Sequence, residues 1–304
     1  DLWAEFEMLK RRKDTHRKKL LQEFHHKLGG LTFFDPACGC GNFLIIAYRE
    51  LRALEIEVIR EIRAYGETAG QDVLDAAELS IVNVDQFYGI EISEFPVRIA
   101  ETAMWMMDHI MNNKLSLEFG QSYVRIPLRR SPRIINVDAL DIDWTGVISP
   151  DKCSFIYGNP PFAGSKYQSD LQRAQVKRIA ALGRTGGSLD FVTAWFIKAA
   201  DFVQQGGNAK IGFVATNSIT QGEQVAQLWP LLFNHGLEIA FAHRTFEWGS
   251  DARGLAHVHV VIIGLTKKDH IPVEKRLFTY DNVRGDPHES LQVWISPYLF
   301  DASN

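Results

Sequence analysis

Asp35-Pro36-Ala37-Cys38-Gly39-Cys40-Gly41-Asn42-Phe43 is the stretch that decides the fold. A short apolar run, Leu31–Phe34, enters it as a buried strand. A helical pattern capped by Asn42 leaves it and runs to about Tyr65. Gly39 and Gly41 let the backbone turn sharply and come close to a ligand. The helix start after Asn42 offers free N–H groups to an electronegative group. Alone, a G-x-G of this kind serves plain strand–helix packing just as well, and no Gly-Lys-Ser/Thr follows to make it a Walker A loop.

Outward from that turn, strands and helices alternate. Phe87–Ile90, Ile134–Val137, Phe155–Tyr157, Ile211–Ala215, Ile239–Ala242 and Val258–Leu265 read as strands. Helical patterns cover about 94–111, 189–204 and 223–234. Residues 2–27 read as one helix stopped at Gly29-Gly30, and Gly66–Val84 as a turn and another helix. The tail after Lys267 looks irregular, as if leading into a following domain. Strands apolar on both faces and alternating with helices imply an α/β fold, with a mostly parallel sheet covered on both sides. Ligands bind such sheets outside the carboxyl ends of the strands. Residues 1–30 then read as a helical lead-in and residues 31–304 as the α/β domain.

The chemistry-bearing residues fall at those strand ends. Glu91 ends the strand Phe87–Ile90, where a carboxylate can accept both ribose hydroxyls of a nucleoside. Asp138, followed by Ala139, ends the next apolar run and can accept from an adenine amino group. Together with Gly39 and Gly41 they describe a nucleoside pocket, for a nicotinamide cofactor or S-adenosylmethionine alike. Asn159-Pro160-Pro161-Phe162 follows the strand Phe155–Tyr157 and is the most specific string in the chain. The lone pair of an aromatic amino group is delocalised into its ring. Two acceptors aimed at its hydrogens localise that pair and point it at an electrophilic methyl group. The Asn159 side-chain oxygen and the Pro160 carbonyl can be those acceptors. The prolines stiffen the turn and hold Asn159 extended, and Phe162 can stack on the target ring.

Asp35–Phe43, Tyr88–Ser93, Asp138 and Asn159–Phe162 resemble motifs I to IV of the class I amino-methyltransferases that modify DNA. Their order is similar to that of the γ group of N6-adenine enzymes. Gly187-Ser188-Leu189-Asp190-Phe191-Val192 resembles the single-chain restriction–modification enzymes of type IIG/IIL. So does His243-Arg244-Thr245-Phe246-Glu247-Trp248 with Ala252 and the strand from Val258. The likeness spans about Leu31 to Phe300. It implies a Rossmann-like fold that transfers a methyl group from S-adenosylmethionine to N6 of adenine in double-stranded DNA, with the base flipped out. It implies that Asp35, Pro36, Ala37, Gly39, Gly41, Asn42, Phe43, Glu91, Ile92, Asp138 and Ala139 hold the cofactor. Asn159 would border both cofactor and base. Pro160, Pro161 and Phe162 would hold the base, and Phe246 would form the opposite stacking wall. Cys40 stands where serine is commoner. The family pattern places a recognition domain, with or without a nuclease domain, on the same longer polypeptide. Pro150-Asp151-Lys152 lacks the rest of a nuclease motif, and the chain reads as the methylase core.

The same chemistry on N4 of cytosine, an RNA base or a glutamine amide is the nearest alternative, though cytosine enzymes more often carry serine at the Asn159 position. A cofactor-binding pseudoenzyme is another, against which the intact Asn159, Pro160 and Phe162 count. A dehydrogenase would leave N-P-P-F unexplained.

Composition sets the outer bounds. The 304 residues are 46% hydrophobic and 23% charged, with a net charge of −4, as in an ordinary globular protein. No apolar run approaches the ~18 residues of a membrane helix, and with no secretory start a cytoplasmic setting is expected. Cys38, Cys40 and Cys153 form no disulfide framework, and Cys38 and Cys40 read as small buried side chains at a tight turn. Seven of the residues from Lys10 to Lys19 are basic and suit either phosphate contact or a solvated helix face. His257 and His259 lack a third metal ligand, and no metal site is expected. Met104, Trp105, Met106 and Met107 read as core. Lys166, Arg173, Lys177, Arg178 and Arg184 suit either DNA phosphates or a surface loop.

Overall fold

A computed structural model describes residues 2–68, 80–120, 130–182, 188–248 and 258–301. The helix expected over Gly66–Val84, together with Arg184, Ala252 and His257, falls wholly or partly outside them. In chain order the elements are α1 (Leu2–Arg11), α2 (Arg17–Gly30), β1 (Phe33–Asp35), α3 (Asn42–Thr68), β2 (Phe87–Glu91) and α4 (Glu94–Phe119). Then come β3 (Arg133–Asn136), β4 (Phe155–Gly158), α5 (Asp170–Ala180), α6 (Thr193–Gln204), β5 (Lys210–Thr216) and α7 (Gly222–Asn234). The last four are β6 (Leu237–Trp248), β7 (Val258–Lys267), β8 (Lys275–Thr279) and β9 (His288–Gln292). The strands form one sheet in the order β3-β2-β1-β4-β5-β7-β6-β8-β9. The fold is the expected α/β class. β4 and β5 are parallel, while β7 lies antiparallel to both of its neighbours, β5 and β6.

Two compact units share this chain. The first comprises Asp1–Phe33, Gly39–Gly89 and Ser93–Asn136. The single helix expected over 2–27 is two helices there. The Asp14 side chain accepts from the His16 N–H (2.9 Å), and its carbonyl accepts from the Arg17 N–H (3.2 Å), so a local turn replaces the helical ladder. The basic run is largely committed inside the unit. Lys10 and Arg17 pair with Glu61, Arg12 with Asp14, and Lys19 with Glu23. Its core is organised around Arg52, fully buried, which donates to Glu55 (2.7 Å) and Asn112 (2.8 Å). Glu55 also accepts from the Ile81 and Val82 N–H groups (2.6 and 2.8 Å). A buried charge pair is tolerable only when its remaining lone pairs are filled in this way. Burial is mixed in the methionine-rich stretch: Met104 is buried and Met106 exposed.

The second unit comprises Phe34–Cys38, Ile90–Ile92 and Val137–Asn304. Its core sets Phe34 edge-on to Trp144 (5.3 Å) and against Phe202 (6.2 Å). Three sequence expectations are corrected here. The helix expected from Leu189 starts at Thr193, because residues 189–192 form a turn around a buried Asp190. β6 runs far beyond Ala242, with register shifts between Ile239 and Phe241 and between His243 and Phe246 that break its apolar alternation. The tail after Lys267 is not irregular: β8 pairs parallel with β6, and β9 antiparallel with β8. Among the described residues no helix is long and apolar enough to cross a membrane.

Candidate functional site

The ends of β1, β2 and β4 and the residue that follows β3 come together within the second unit. The Cys38 N–H donates to the Ile90 carbonyl, and the Val137 N–H to the Glu91 carbonyl, each at 3.0 Å. A Cβ on Gly158, the last residue of β4, would lie 2.4 Å from the Asp35 Oδ1. That contact and its φ of +151° admit only glycine at Gly158, and they set the start of the Asn159 turn beside the Asp35 carboxylate.

Asp35 is buried and short of donors. Its Oδ1 accepts from the Ala37 N–H (3.0 Å), while its Oδ2 is buried with no hydrogen-bond partner among the described residues. Burial pushes the carboxyl up to about 7. The Ala37 N–H opposes the shift and the nearby Glu91 adds to it. Pro36 is buried, its carbonyl accepting from the Trp195 Nε1 (3.1 Å), which fixes the turn's path. Ile92 is 65% exposed, an apolar surface at the same strand edge. Gly39, Gly41, Asn42 and Phe43 belong to the first unit. There Gly39 and Gly41 have φ of +54° and +84°. A Cβ on Gly41 would meet that of Ala100 at 2.9 Å, so the second glycine also serves helix packing. Cys38 is buried as expected, but Cys40 is exposed, because it sits at the tip of the bend.

Asp138 is not an open carboxylate. Its Oδ1 accepts from the Leu140 N–H (2.8 Å) and its Oδ2 from the Gln175 Nε2 on α5 (2.8 Å). A carboxylate has about four acceptor positions, so capacity remains. Ala139 is buried and its carbonyl accepts from the Trp144 Nε1 (2.9 Å), so it shapes the loop from behind.

At the Asn159 turn, the Asn159 Oδ1 is buried and has no hydrogen-bond partner among the described residues. A buried amide oxygen left bare costs about 1–3 kcal/mol, which a ligand donor recovers. Pro160 is buried, Pro161 exposed and Phe162 half-buried. The segment behind the turn is pinned. The Phe191 N–H donates to the Ala163 carbonyl (2.9 Å), the Ser165 N–H to the Asp190 Oδ1 (3.0 Å), and the Gln168 Nε2 to the Leu189 carbonyl (2.8 Å). The Asp190 Oδ2 accepts from the hydroxyls of Thr216 (3.2 Å) and Ser218 just past β5.

Past that clamp lies an open cleft of about 470 Å³, lined by Gly164–Tyr167, Asp190, Thr216–Ser218, Val258 and His259. Strand register relates it to Phe246. Phe246 pairs with Val260, and Val260 with Thr216 at the cleft wall. Gly158 pairs with Phe213, three residues before Thr216. Two strands separate β4 from β6, so Phe246 stands ~14 Å across the sheet from the Asn159 turn. Its ring stacks on Tyr280 (5.1 Å, 25°), and Tyr280 shares a hydrogen bond with the His243 Nδ1 (2.8 Å). His259 faces Glu247 in register and lines the cleft. Of the cations near the loop, Lys166 lines the cleft, whereas Arg178 is bound to Asp141 (2.6 Å) and Arg173 to the Gln168 carbonyl (3.3 Å).

The sequence did not point to Gln175, Thr216, Ser218 or Tyr280. None stands in a motif, and each matters only through a partner from a distant element. Asp190 stood in a quoted string without a role.

Comparison with known proteins follows the same lines. The family model described as MmeI, DNA-methyltransferase domain, matches residues 9–279. DNA methyltransferase A of Bacillus subtilis (strain 168) is 38% identical over 288 residues, covering 93% of this chain and 31% of that protein. A solved structure of the type IIL restriction-modification enzyme MmeI in complex with DNA is 51% identical, with a TM-score of 0.91. That match covers 99% of this chain and 39% of the other. The chain thus spans well under half the length of these relatives.

Proposed function

Because this chain belongs to the MmeI DNA-methyltransferase domain family, we propose that it methylates N6 of adenine in double-stranded DNA, using S-adenosylmethionine, as part of a cytoplasmic restriction–modification system. The observation that carries this reading is the pair of unpartnered buried acceptors, Asn159 Oδ1 and Asp35 Oδ2, brought to one strand edge through Gly158. The donor set suits the cofactor. Glu91 is offered to ribose hydroxyls, Asp138 to the adenine amino group, and Asp35 to a positive charge. The motif resemblance assigns Gly39, Gly41, Asn42 and Phe43 to the same cofactor, and Ile92 gives an apolar face to its base. When bound, S-adenosylmethionine supplies an electrophilic sulfonium methyl.

Asn159 Oδ1 and the Pro160 carbonyl accept the two hydrogens of the target amino group. They thereby localise its lone pair and aim it. Pro161 keeps the turn rigid, so little reorganisation accompanies transfer. N6 cannot be reached inside a duplex, so the adenine must be flipped out, at a few kcal/mol. Phe162 on one side and Phe246 on the other offset part of that by stacking, about 1–3 kcal/mol per contact. Lys166, at the cleft rim, is placed to meet a phosphate of the flipped strand. Helices α1 and α2 serve as a connector, with the remaining residues as the catalytic domain.

The test is transfer of a tritiated methyl group to genomic DNA by the full-length protein, followed by nucleoside analysis. Label in N6-methyladenine is expected. Label in N4-methylcytosine, in RNA or in protein instead overturns the assignment of the target.

A further inference from the structure

Helix α5 begins eight residues after the Asn159–Phe162 turn and reaches back to the loop that follows β3. Its Gln175 is buried, with 4% of its surface exposed. Gln175 Nε2 donates to the Asp138 Oδ2 (2.8 Å) and approaches the Asp141 Oδ1 (3.3 Å). Only the amide nitrogen, not the oxygen, can face two carboxylates. Asp141 is firmly anionic, since the Arg178 guanidinium beside it holds its carboxyl below the usual range. Arg178 also donates to the Leu140 carbonyl (2.9 Å). The helix itself is well founded, with a Ser169–Gln172 capping box at its start.

We propose that Gln175 is a positioning residue that holds Asp138 as a fixed, acceptor-only carboxylate and so makes the cofactor pocket select a 6-amino purine over a 6-oxo purine. This rests on the assignment of Asp138 to the cofactor's base. A glutamine amide nitrogen can only donate. Asp138 therefore meets donors on both oxygens, from Leu140 and Gln175, and its remaining lone pairs are left for the ligand. An amino group at position 6 of a purine completes such a site. A carbonyl there sets oxygen against oxygen. Specificity gained by leaving the wrong ligand unpaired is the strongest kind a small site can build. The geometry also joins the two halves of the reaction, because the helix that orients Asp138 follows directly from the turn that carries Asn159.

The test measures binding of S-adenosylhomocysteine and of its inosine counterpart to the full chain by calorimetry. Four proteins are compared: the unmutated chain, Gln175→Ala, Gln175→Glu and Arg178→Ala. Gln175→Ala is expected to weaken the adenine ligand about tenfold, the usual scale for losing a hydrogen bond to a charged group. Gln175→Glu sets a second carboxyl against Asp138, so the pair holds a proton and can donate. The preference for adenine over hypoxanthine should then narrow at least tenfold, an effect that mere loosening of the helix would not produce. Arg178→Ala removes helix contacts that do not touch Asp138 and should stay within threefold. Unchanged affinity in Gln175→Ala, an unchanged base preference in Gln175→Glu, or an equal loss in Arg178→Ala overturns the inference. Failure of the unmutated chain to bind either ligand overturns the methyltransferase reading with it.

Discussion

Asp35 and Asp190 are buried to nearly the same degree, at 1% and 5% exposure, and sit at turns of the same unit, yet their surroundings are opposite. Asp190 is saturated. Its carboxylate collects the Ser165 N–H and the hydroxyls of Thr216 and Ser218, its N–H donates to Gln224, and its carbonyl accepts from Thr193. Asp35 has one donor and a bare oxygen, and its carboxyl is pushed up to about 7. Burial alone does not separate the roles. A saturated buried carboxylate is scaffold, holding the segment behind the Asn159 turn. A starved one leaves its cost outstanding until a ligand arrives. Asn159 belongs with Asp35 by this criterion, and Asp138 falls between the two.

The contrast is broken most directly at Asn159. Asn159→Ala should lower methyl transfer by ~10³-fold, the scale for losing one preorganised polar contact to a transition state. Cofactor affinity should stay within about threefold. Single-turnover tritium transfer and calorimetry on the same preparation measure both, and near-normal transfer would remove the acceptor role.

Asp35→Asn probes the starved carboxylate through pH. Below pH ~4 Asp35 is protonated in both the folded and the unfolded chain. Between ~4 and 7 it is ionised only when unfolded, so the folded state binds more protons and stability falls as pH rises. Above 7 the loss is complete, and about 4 kcal/mol bounds it. The neutral amide of the variant carries no such penalty. Denaturation midpoints of the two proteins should therefore coincide near pH 4 and separate by pH 8, the variant being more stable while binding S-adenosylmethionine less well. A constant gap across that range contradicts the ionisation account. Asp190→Ala should do the reverse, lowering stability by about 3 kcal/mol by leaving the Ser165 N–H and two hydroxyls unpaired. Urea denaturation reads this, and a loss under 1 kcal/mol would show the clamp to be dispensable.

Much of this was legible beforehand because it is local. Strand, glycine bend and helix follow one another from Leu31 to Tyr65, and Asn159-Pro160-Pro161-Phe162 carries its geometry in its own prolines. What stayed hidden depends on partners far along the chain. The Asp190 clamp links positions 165, 190, 216 and 218, and Gln175 meets Asp138 across 37 residues. No period in the sequence records such a meeting. β6 was truncated for another reason: its bulges shift side chains between faces, so the alternation that marks a strand fails at the segment that bears Phe246. β9 was missed because an exposed edge strand carries little apolar signal, as Glu289, Ser290 and Gln292 illustrate, and β8 because its five residues mix two basic side chains with Leu277 and Phe278.

Phe246 offers the smallest effect and the finest test of the same comparison. It is supported rather than starved: Tyr280 stacks on it, Trp248 meets its edge (6.0 Å), and His243 lies at 6.2 Å. Its ring is thus held before any base arrives, so its contribution should appear as binding rather than as chemistry. Phe246→Ala should weaken capture of the flipped base by about 2 kcal/mol, the middle of the range for one aromatic–base contact. In single turnover that predicts a raised half-saturating DNA concentration with the maximal rate nearly kept. Fluorescence of 2-aminopurine at the target position should rise less on binding, because the flipped population falls. An undiminished signal, or a loss confined to the maximal rate, would move the stacking wall away from β6 and leave the cleft beside Thr216 without its far side.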